Sequence, residues 1–575
     1  MRHRIDTIAG NYTEDIEILH SKSFQYFCLF IAINSVKCVL VDSVCDYWQP
    51  DLFIIANLYI SFVFIFIYFL IPIKMGSKTA LLVLYLLQSL FFIVNICYID
   101  TFTVPVDLTS CYKLWWETLC IIDKISIHFS VKSIMLIVID LPYLMLFLKK
   151  YDQRMKIFFS GEYVAYVLSF ILISSLCMIV AITEIFAVPN INYFEHSRRS
   201  GSALIHRYGL IAFHMFDTIS NINSNDKDLQ FDYGQEIVNY GNKRKASGIV
   251  LIQVESLDAR IIDYTVNDRY VTPFLHDLSR RSIYYPYTMS YHKSGGSSDC
   301  DIAVLNSLEP LDDYPTMKST TYAYPNSMIR VLSRNGYTST AFHGNTGEFY
   351  NRDYAYHKMG FDYFYDRKRM DLAEEGWGAS DEKVLAFTEA KLGRNNKPFV
   401  SYIITMSSHE PFKNVGNYYR NNHFAEVVPT LAKNYLTSMA YVDKVLNEFI
   451  TRIRKEHPGT YIFIYGDHTP YAVKSGPFQR SSIYMEDKNF EFVPLIIVTP
   501  NRLIYHEKKD AASFLDIAPT VLSVAGIPFQ IRTYGENLLS FSLHKPIPLS
   551  GKFYSRSMLY RKITDSFDLQ QKNGE

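Results

Sequence analysis

Long apolar runs dominate the chain before about residue 190. A bilayer crossing takes roughly 20 apolar residues. Five runs reach that length, at 24–42, 52–73, 79–99, 129–148 and 163–187. Lys37 lies near the end of the first run, and Lys132 and Asp140 interrupt the fourth. One such run would fit a buried core helix, but five in succession predict an α-helical membrane domain of five helices over residues 1–187.

The charges of the polar links predict the orientation of these spans. Lys74 and Lys78 flank the second link, Lys149 and Lys150 open the fourth, and the first link is acidic. Positive links stay in the cytoplasm. We therefore expect the amino terminus inside and, after five crossings, everything beyond about residue 188 outside. The polar first 22 residues predict no cleavable signal peptide.

The pattern changes after the last run. Residues 188–247 are polar and predict a connector, whereas 248–545 alternate short apolar strands with helix-like stretches. Such alternation is typical of an α/β domain with a mostly parallel sheet and helices on both faces. Residues 546–575 are charged and have little apolar periodicity, so they read as a carboxyl-terminal tail with no predicted role.

Specific strands and helices follow from this pattern. Strands are predicted at 249–254, 338–342, 399–405, 461–465 and 493–498. Helices are predicted near 273–282, 300–308, 325–335, 381–391, 428–455 and 513–526.

The net charge and the cysteine count argue against some classes of protein. The 575 residues carry 57 basic and 57 acidic side chains, a net charge of +0, whereas a nucleic-acid-binding protein is usually basic, so no nucleic-acid partner is expected. Eight cysteines are present. Cys111 and Cys120 fall in a link predicted outside, where a disulfide is possible, but their spacing leaves the pairing open. Cys300 is the sole cysteine of the outer half, which argues against a disulfide scaffold or a cysteine-based zinc site.

Chemistry-bearing residues follow the predicted strands. Asp467 and His468 come after a buried-type strand, Glu255 ends another, and His409 lies beyond a third. Carboxyl ends of strands in an α/β sheet form the crevice where ligands bind. A carboxylate beside an imidazole suits a divalent cation. Singly, each residue could also be a capping or loop residue.

A small-residue turn, Ser294 to Asp299, opens a helix-like stretch. It offers Ser297 as a nucleophile and Ser298 as a helix cap, although ordinary helix capping would explain both hydroxyls. The amino terminus of a helix favours an anionic phosphate. A metal ion on the serine oxygen would activate it as a nucleophile.

His343 comes after the predicted strand 338–342, and Tyr350 and Arg352 lie just beyond it. A planar guanidinium can clamp a phosphate through two parallel hydrogen bonds. Singly, a surface arginine and a core histidine are the commoner explanations. Several strand ends with compatible groups favour one phosphoryl-binding site.

These residues resemble the lipoteichoic acid synthase and phosphoglycerol transferase branch of the alkaline phosphatase/sulfatase superfamily. The similar pieces cover roughly 250–470 and are Val254-Glu255-Ser256, Val271–Leu278, Gly296–Asp299 with Asn306–Leu308, Phe342–Asn345, Phe349–Arg352, Met406–Phe412 and Gly466–His468. The synthases carry Thr where this chain has Ser297 and Trp where it has Tyr350.

The resemblance implies an alkaline-phosphatase-like (sulfatase-like) domain with one divalent ion. Mn²⁺ is the preferred ion, and Mg²⁺ and Zn²⁺ are the alternatives. Its ligands would be Glu255, Ser297, Asp467 and His468, with Ser297 as the catalytic nucleophile. Contacts to the phosphoglycerol substrate would come from the following four residues: His343, Tyr350, Arg352 and His409.

The implied function is a multi-pass membrane enzyme with its catalytic domain outside the cytoplasm. It would move glycerophosphate from phosphatidylglycerol in the bilayer to an envelope glycan or a glycerophosphate polymer. Sulfatases need a Cys/Ser-x-Pro-x-Arg stretch, which Ser297–Asp301 lacks, and two-zinc phosphatases need more ligands. A phosphoethanolamine transferase or a lipid phosphodiesterase remains an alternative, and so does a non-catalytic envelope scaffold.

Overall fold

The computed structural model describes residues 22–44, 53–75, 77–102, 138–151, 209–211 and 231–574, the last range with short gaps, and a few single residues. The chain divides into two compact units, residues 1–225 and 226–575.

The described part of the first unit is helical. Its helices are α1 (Lys22–Val44), α2 (Phe53–Met75), α3 (Lys78–Phe102) and α4 (Leu141–Lys150). They coincide with the first three predicted spans and with part of the fourth, whereas 163–187 and the Cys111–Cys120 pair lie outside the described residues. Two segments, Lys22–Val41 and Lys78–Ile96, are long and apolar enough to cross a membrane. The helical amino-terminal region is confirmed, and five crossings stay a prediction.

Helix α3 turns its apolar side outward. Its exposed apolar residues are Leu82, Val83, Leu86, Leu87, Leu90 and Val94. The same helix buries Gln88, Ser89 and Asn95 among the other helices. A soluble helix shows the reverse pattern, because water solvates polar side chains and the core takes the apolar ones.

Lys37 of the first predicted span and Asp140 of the fourth meet inside this unit. Lys37 Nζ lies 2.8 Å from Asp140 Oδ2, and neither side chain is exposed. Tyr85 donates to Asp140 Oδ1 over 2.9 Å, and Asn34 donates to Oδ2. Gln88 in turn donates to Asn34 over 2.7 Å. Asp140 is the residue that precedes α4, where the chain makes a turn, so the buried pair lies at a helix end.

The second unit is built on one large sheet. Its strands, with two small hairpins and one outlying pair, are β1 (Gln235–Asn239), β2 (Gly248–Val254), β3 (Thr265–Val266), β4 (Arg269–Tyr270), β5 (Ile283–Met289), β6 (Thr338–His343), β7 (Tyr363–Asp366), β8 (Phe399–Ile404), β9 (Thr460–Gly466), β10 (Ser482–Met485), β11 (Lys488–Val498), β12 (His506–Glu507), β13 (Ala512–Ser513), β14 (Phe529–Thr533), β15 (Ile547–Leu549) and β16 (Lys552–Tyr554). The helices are α5 (Pro273–Ser279), α6 (Ser297–Asn306), α7 (Met328–Arg334), α8 (Arg352–Met359), α9 (Asp381–Glu389), α10 (Thr430–Glu456), α11 (Ile517–Ala525) and α12 (Arg556–Gly574).

The strand order of the main sheet is β12-β5-β11-β9-β2-β8-β6-β7. Strands β9, β2, β8, β6 and β7 run parallel, and β11 is antiparallel to both β5 and β9. All five predicted strands are present, but β5 was not predicted. Its sequence, Ile-Tyr-Tyr-Pro-Tyr-Thr-Met, lacks a clean alternation and contains a proline.

Alternate residues of each strand enter two separate cores. Ile249 and Leu251 of β2 pack with α6, α7 and α11 on one face, and Val250 and Ile252 pack with α5, α9 and α10 on the other. The period of two in a strand produces this division. The domain therefore has helices on both faces of the sheet, as the sequence predicts.

Segments at both ends of the predicted domain also join this unit. β1, from the predicted connector, pairs with β14, and β15 and β16 form a hairpin from the predicted tail. Leu559 and Ile563 of α12 are fully buried in the core of the domain. The tail is thus part of the packed domain, and its apolar positions escaped prediction because charged residues separate them.

Candidate active site

The register of the parallel strands brings the candidate residues to one edge of the sheet. Val254 of β2 pairs with Gly466 of β9, so Glu255 and Asp467 emerge side by side. His343 ends β6 at the same level, opposite Ile404 of β8. Gly466 has no room for a side chain, because a Cβ there would clash with the Leu257 carbonyl oxygen. The close crossing of the two strand ends therefore depends on this glycine.

Glu255, Asp467 and His468 form the candidate metal centre. Each is buried, and one ligand atom from each lies within 4.8 Å of the others. His468 Nε2 is 3.1 Å from Glu255 Oε1 and 3.7 Å from Asp467 Oδ2. Asp467 Oδ2 is buried with no hydrogen-bond partner among the described residues. Two carboxylates and an imidazole make a mixed oxygen and nitrogen donor set that suits Mn²⁺, Mg²⁺ or Zn²⁺.

Backbone and side-chain contacts fix these three groups from behind. The N–H groups of Ser256 and His468 both donate to Asp467 Oδ1 over 2.8 Å, which leaves Oδ2 for a ligand. His468 Nδ1 lies 2.8 Å from the Thr469 carbonyl oxygen, which directs Nε2 toward the site. Glu491 accepts hydrogen bonds from the N–H and hydroxyl of Thr469. Such outer contacts hold ligands in orientation.

The charges of the centre also fit a cation. Burial and the neighbouring Glu255 raise the pKa of Asp467 above its ordinary value. Burial opposes charge on His468, but Asp467 and Glu255 outweigh it and raise its pKa. Buried carboxylates that repel each other and attract a proton onto histidine can exchange that proton for a metal ion. The residues present therefore fit one divalent cation.

Ser297 is the first residue of α6 and points into this centre. Its Oγ lies 3.3 Å from Glu255 Oε2 and 3.4 Å from His468 Nε2. Gly296 before it adopts a φ of 55°, a left-handed conformation that glycine takes without strain. Asp299 accepts hydrogen bonds from the backbone N–H groups of Lys293 and Gly295, and so fixes the turn.

Ser298 does not cap the helix as predicted. Gly296 occupies the cap position, and the Ser298 hydroxyl donates to the Gly295 carbonyl over 2.6 Å. The carboxylate of Asp299 already holds the N–H groups of the turn, which leaves the serine hydroxyl free for a carbonyl.

His343 and His409 approach the same edge. His343 is buried, and neither ring nitrogen has a hydrogen-bond partner among the described residues. Burial lowers its pKa well below the ordinary value, and Arg352 adds to this effect. His409 is half-buried, with Nδ1 2.9 Å from the Glu410 carbonyl oxygen and its ring against Trp377. A buried imidazole with two open nitrogens is costly unless a ligand pairs with it.

Tyr350 lies near the turn before the nucleophile, and Arg352 belongs to a buried ion pair. The Tyr350 hydroxyl is 3.4 Å from where a side chain on Gly296 would begin. Arg352 is buried, and its Nε donates to Asp301 Oδ2 over 2.9 Å. Tyr356 and Tyr402 donate to the same carboxylate, each over 2.9 Å. The predicted phosphate clamp thus has one guanidinium nitrogen committed to an internal ion pair.

Three features of the site were not predicted from the sequence. His292 stacks on His468, with ring centroids 4.4 Å apart and planes at 18°. Asp301 anchors Arg352, and Glu491 supports Thr469. His292 has a weak signal, since it begins the loop that leads to Ser297, whereas Glu491 comes from an antiparallel strand with no pattern to mark it.

A parallel-centred sheet with a carboxylate, Asp-His and hydroxyl cluster at its carboxyl edge is the arrangement of an alkaline-phosphatase-like domain with a candidate metal site. Residues 247–527 match the Sulfatase family model. The second unit therefore contains an alkaline-phosphatase-like sulfatase domain.

The curated relatives that the chain matches are named lipoteichoic acid synthases. The chain is 26% identical to lipoteichoic acid synthase-like YvgJ of Bacillus subtilis (strain 168) over 409 residues, 65% of this chain and 64% of that protein. It is 27% identical to lipoteichoic acid synthase 2 of the same organism, over 63% of this chain and 60% of that protein. The chain thus spans less than two thirds of these relatives' length. The predicted resemblance to the lipoteichoic acid synthases is confirmed.

One solved structure is similar to a larger part of this chain than the curated relatives are. The integral membrane protein lipooligosaccharide phosphoethanolamine transferase A (EptA) from Neisseria meningitidis matches 88% of this chain and 96% of its own, with a TM-score of 0.54 and 13% identity. The likeness shows a common fold, a helical amino-terminal region followed by an alkaline-phosphatase-like domain.

Proposed function

We propose that this protein is a membrane-anchored phosphoglycerol transferase that uses Ser297 as its nucleophile. It takes glycerophosphate from phosphatidylglycerol and passes it to an envelope glycan or a glycerophosphate polymer. The observation that carries this proposal is the position of Ser297 Oγ, at a helix amino terminus and within 3.4 Å of two candidate metal ligands. The confirmed similarity to lipoteichoic acid synthases supports the choice of glycerophosphate.

The reaction needs two displacements at one phosphorus. Ser297 Oγ bonds to the phosphorus of the donor, the bond to the diacylglycerol oxygen breaks, and that oxygen takes up a proton in place of the one serine loses. The acceptor hydroxyl oxygen then bonds to the same phosphorus, the bond from phosphorus to Ser297 Oγ breaks, and Ser297 takes up the proton that the acceptor loses, which restores the enzyme. The serine intermediate lets one site serve two alcohols in turn.

Each residue contributes a definable part. A divalent ion held by Glu255, Asp467, His468 and Ser297, Mn²⁺ by preference, would lower the pKa of the serine hydroxyl and neutralise charge at phosphorus. The amino terminus of α6 presents backbone N–H groups to the phosphate. His343 and His409 are the candidates for moving protons and binding glycerol hydroxyls, since both ring nitrogens of His343 lack a hydrogen-bond partner in the part of the chain that the structure describes. Tyr350 and Arg352 complete the proposed substrate contacts.

The membrane location rests on the first unit. Its α3 helix exposes six apolar side chains and buries Gln88, Ser89 and Asn95, which fits lipid outside and protein inside. A lipid donor remains in the bilayer, so an anchored enzyme meets its substrate at the membrane surface. The catalytic unit would lie outside the cytoplasm, with five spans before it.

The test is lipid turnover by the full-length protein in vesicles that contain phosphatidylglycerol and Mn²⁺. We expect diacylglycerol release by wild type, its loss in Ser297→Ala, and partial retention in Ser297→Thr, because threonine offers the same oxygen. Ser298→Ala, the control, should keep most turnover and lose about 1 kcal/mol of stability with its hydrogen bond to Gly295. Normal turnover by Ser297→Ala would refute the proposal.

Product masses identify the transferred group. Trapped wild-type enzyme should carry a glycerophosphoryl mass on the peptide that contains Ser297, and an added glycan or glycerophosphate acceptor should gain that mass. Release of free glycerophosphate alone would show a phosphodiesterase. Turnover of phosphatidylethanolamine instead of phosphatidylglycerol would show a phosphoethanolamine transferase.

A further inference from the structure

A histidine outside the candidate ligand set contacts one of the candidate ligands and lies near the turn before Ser297. His292 stacks on the ring of His468, with centroids 4.4 Å apart and an interplanar angle of 18°. Its Nε2 is also 3.7 Å from where a side chain on Gly296 would begin. Its ring therefore lies between the strand end that carries His468 and the turn that carries Ser297.

The loop that carries His292 is held on both sides. Before it, the Ser290 N–H donates to the Glu491 carbonyl over 3.0 Å. After it, the Lys293 N–H donates to Asp299 over 3.0 Å, and Lys293 Nζ lies 2.7 Å from Glu309. A ring on a loop fixed at both sides is a rigid support for its neighbour.

The support complements the hydrogen bond at the other nitrogen of His468. That bond, from Nδ1 to the Thr469 carbonyl, fixes the ring edge but allows the plane to tilt about it. A parallel ring against one face opposes this tilt, because stacked aromatic pairs attract each other beyond the area that they bury. Together the two contacts keep Nε2 directed at Glu255 and Ser297.

We propose that His292 is a positioning residue that holds the His468 imidazole, by ring stacking, in the orientation that binds the metal ion. This inference rests on the metal centre of the proposed function. His292 contributes no ligand atom to the cluster of Glu255, Asp467 and His468. Its effect should therefore appear in metal affinity, and an aromatic ring without a nitrogen should replace it.

Mn²⁺ binding to the full-length protein in detergent, followed by electron paramagnetic resonance of the free ion, tests the inference without a turnover assay. His292→Ala should weaken Mn²⁺ binding about tenfold, the usual scale for outer contacts of a metal ligand. His292→Phe should recover most of the loss. His276 stacks on Tyr270 at 3.7 Å outside the site, so His276→Ala, the matched control, should bind like wild type.

Thermal unfolding in a chelator checks that the His292 variants are folded, since each should still unfold in one cooperative transition, with a midpoint lowered by no more than about 8 °C when no metal is bound. Asp467→Asn, which loses a candidate ligand, should abolish binding. If wild type binds no Mn²⁺, or Asp467→Asn binds normally, the metal centre itself is wrong. If wild type binds and His292→Ala binds equally well, only the inference fails. It also fails if His292→Phe is as weak as His292→Ala.

Discussion

At the scale of single residues, the short-range pattern is enough to predict that the candidate ligands lie close together. Glu255, Asp467 and His468 each follow an apolar strand, and parallel strand ends share one edge, so their assembly needs no long-range information. Long-range information is needed, however, to predict which residue pairs with a buried charge. The ion pair of Arg352 with Asp301 joins two helices that are separated in the sequence, and the stack of His292 on His468 joins two loops, so a local pattern predicts neither contact.

A buried carboxylate far from the metal centre gives a pH prediction. Asp443 of α10 accepts hydrogen bonds from the N–H groups of Phe274 and Leu275, and so caps α5 in place of Thr272. Burial raises the pKa of Asp443 to about 7 from an ordinary 3.8. The unfolded chain therefore loses this proton at lower pH than the folded protein does, and ionisation favours unfolding across that interval.

We expect wild type to lose stability relative to Asp443→Asn as pH rises from about 4 to about 7, by at most about 1.4 kcal/mol per pH unit. Above that range the difference should stay constant. Thermal unfolding of the two full-length proteins over a pH series measures it. Asparagine keeps one acceptor oxygen but cannot titrate, so parallel profiles for both proteins would show that Asp443 is ionised throughout.

At the scale of elements, the parallel strands and most helices were predictable because each has its own periodicity. The antiparallel strand β11 was predicted as well, but its neighbour β5 was not. β5 reaches the sheet only by pairing with β11, and its proline and three tyrosines hide the alternation. The predicted spans show the same limit, since Lys37 and Asp140 each weaken a span in the sequence although they neutralise each other in the fold.

The buried pair of Lys37 and Asp140 predicts a coupled stability effect. Removal of one charge by Lys37→Met or Asp140→Leu leaves the other buried without its partner, which should cost about 3–5 kcal/mol. The double variant should regain most of this loss, because two apolar side chains need no compensation. Thermal denaturation in detergent, read out by gel filtration, provides the comparison.

Lys78 provides the control for this experiment. It belongs to the same helical unit and is exposed, so Lys78→Met should change stability by no more than about 0.5 kcal/mol. Additive losses in the double variant would mean that the two charges do not stabilise each other.

At the scale of the whole molecule, the two units differ in how they distribute polarity. The second unit has apolar cores on both faces of its sheet, as a water-soluble domain does. The first buries a polar cluster and exposes apolar side chains. This contrast supports lipid around the first unit and water around the second, which is the arrangement that a transferase with a lipid donor requires.

Orientation is the prediction that belongs to this scale. Basic residues at 74–78 and 149–156 place those links inside, so five crossings put the chain outside after residue 188. A reporter that works only outside the cytoplasm should therefore be active when fused after Arg244. The same reporter fused after Lys150 should be silent, because that junction lies in a predicted cytoplasmic link. An active cytoplasmic reporter at Arg244 would mean an even number of crossings before the catalytic unit, and that unit would then face the wrong side of the membrane to build an envelope polymer.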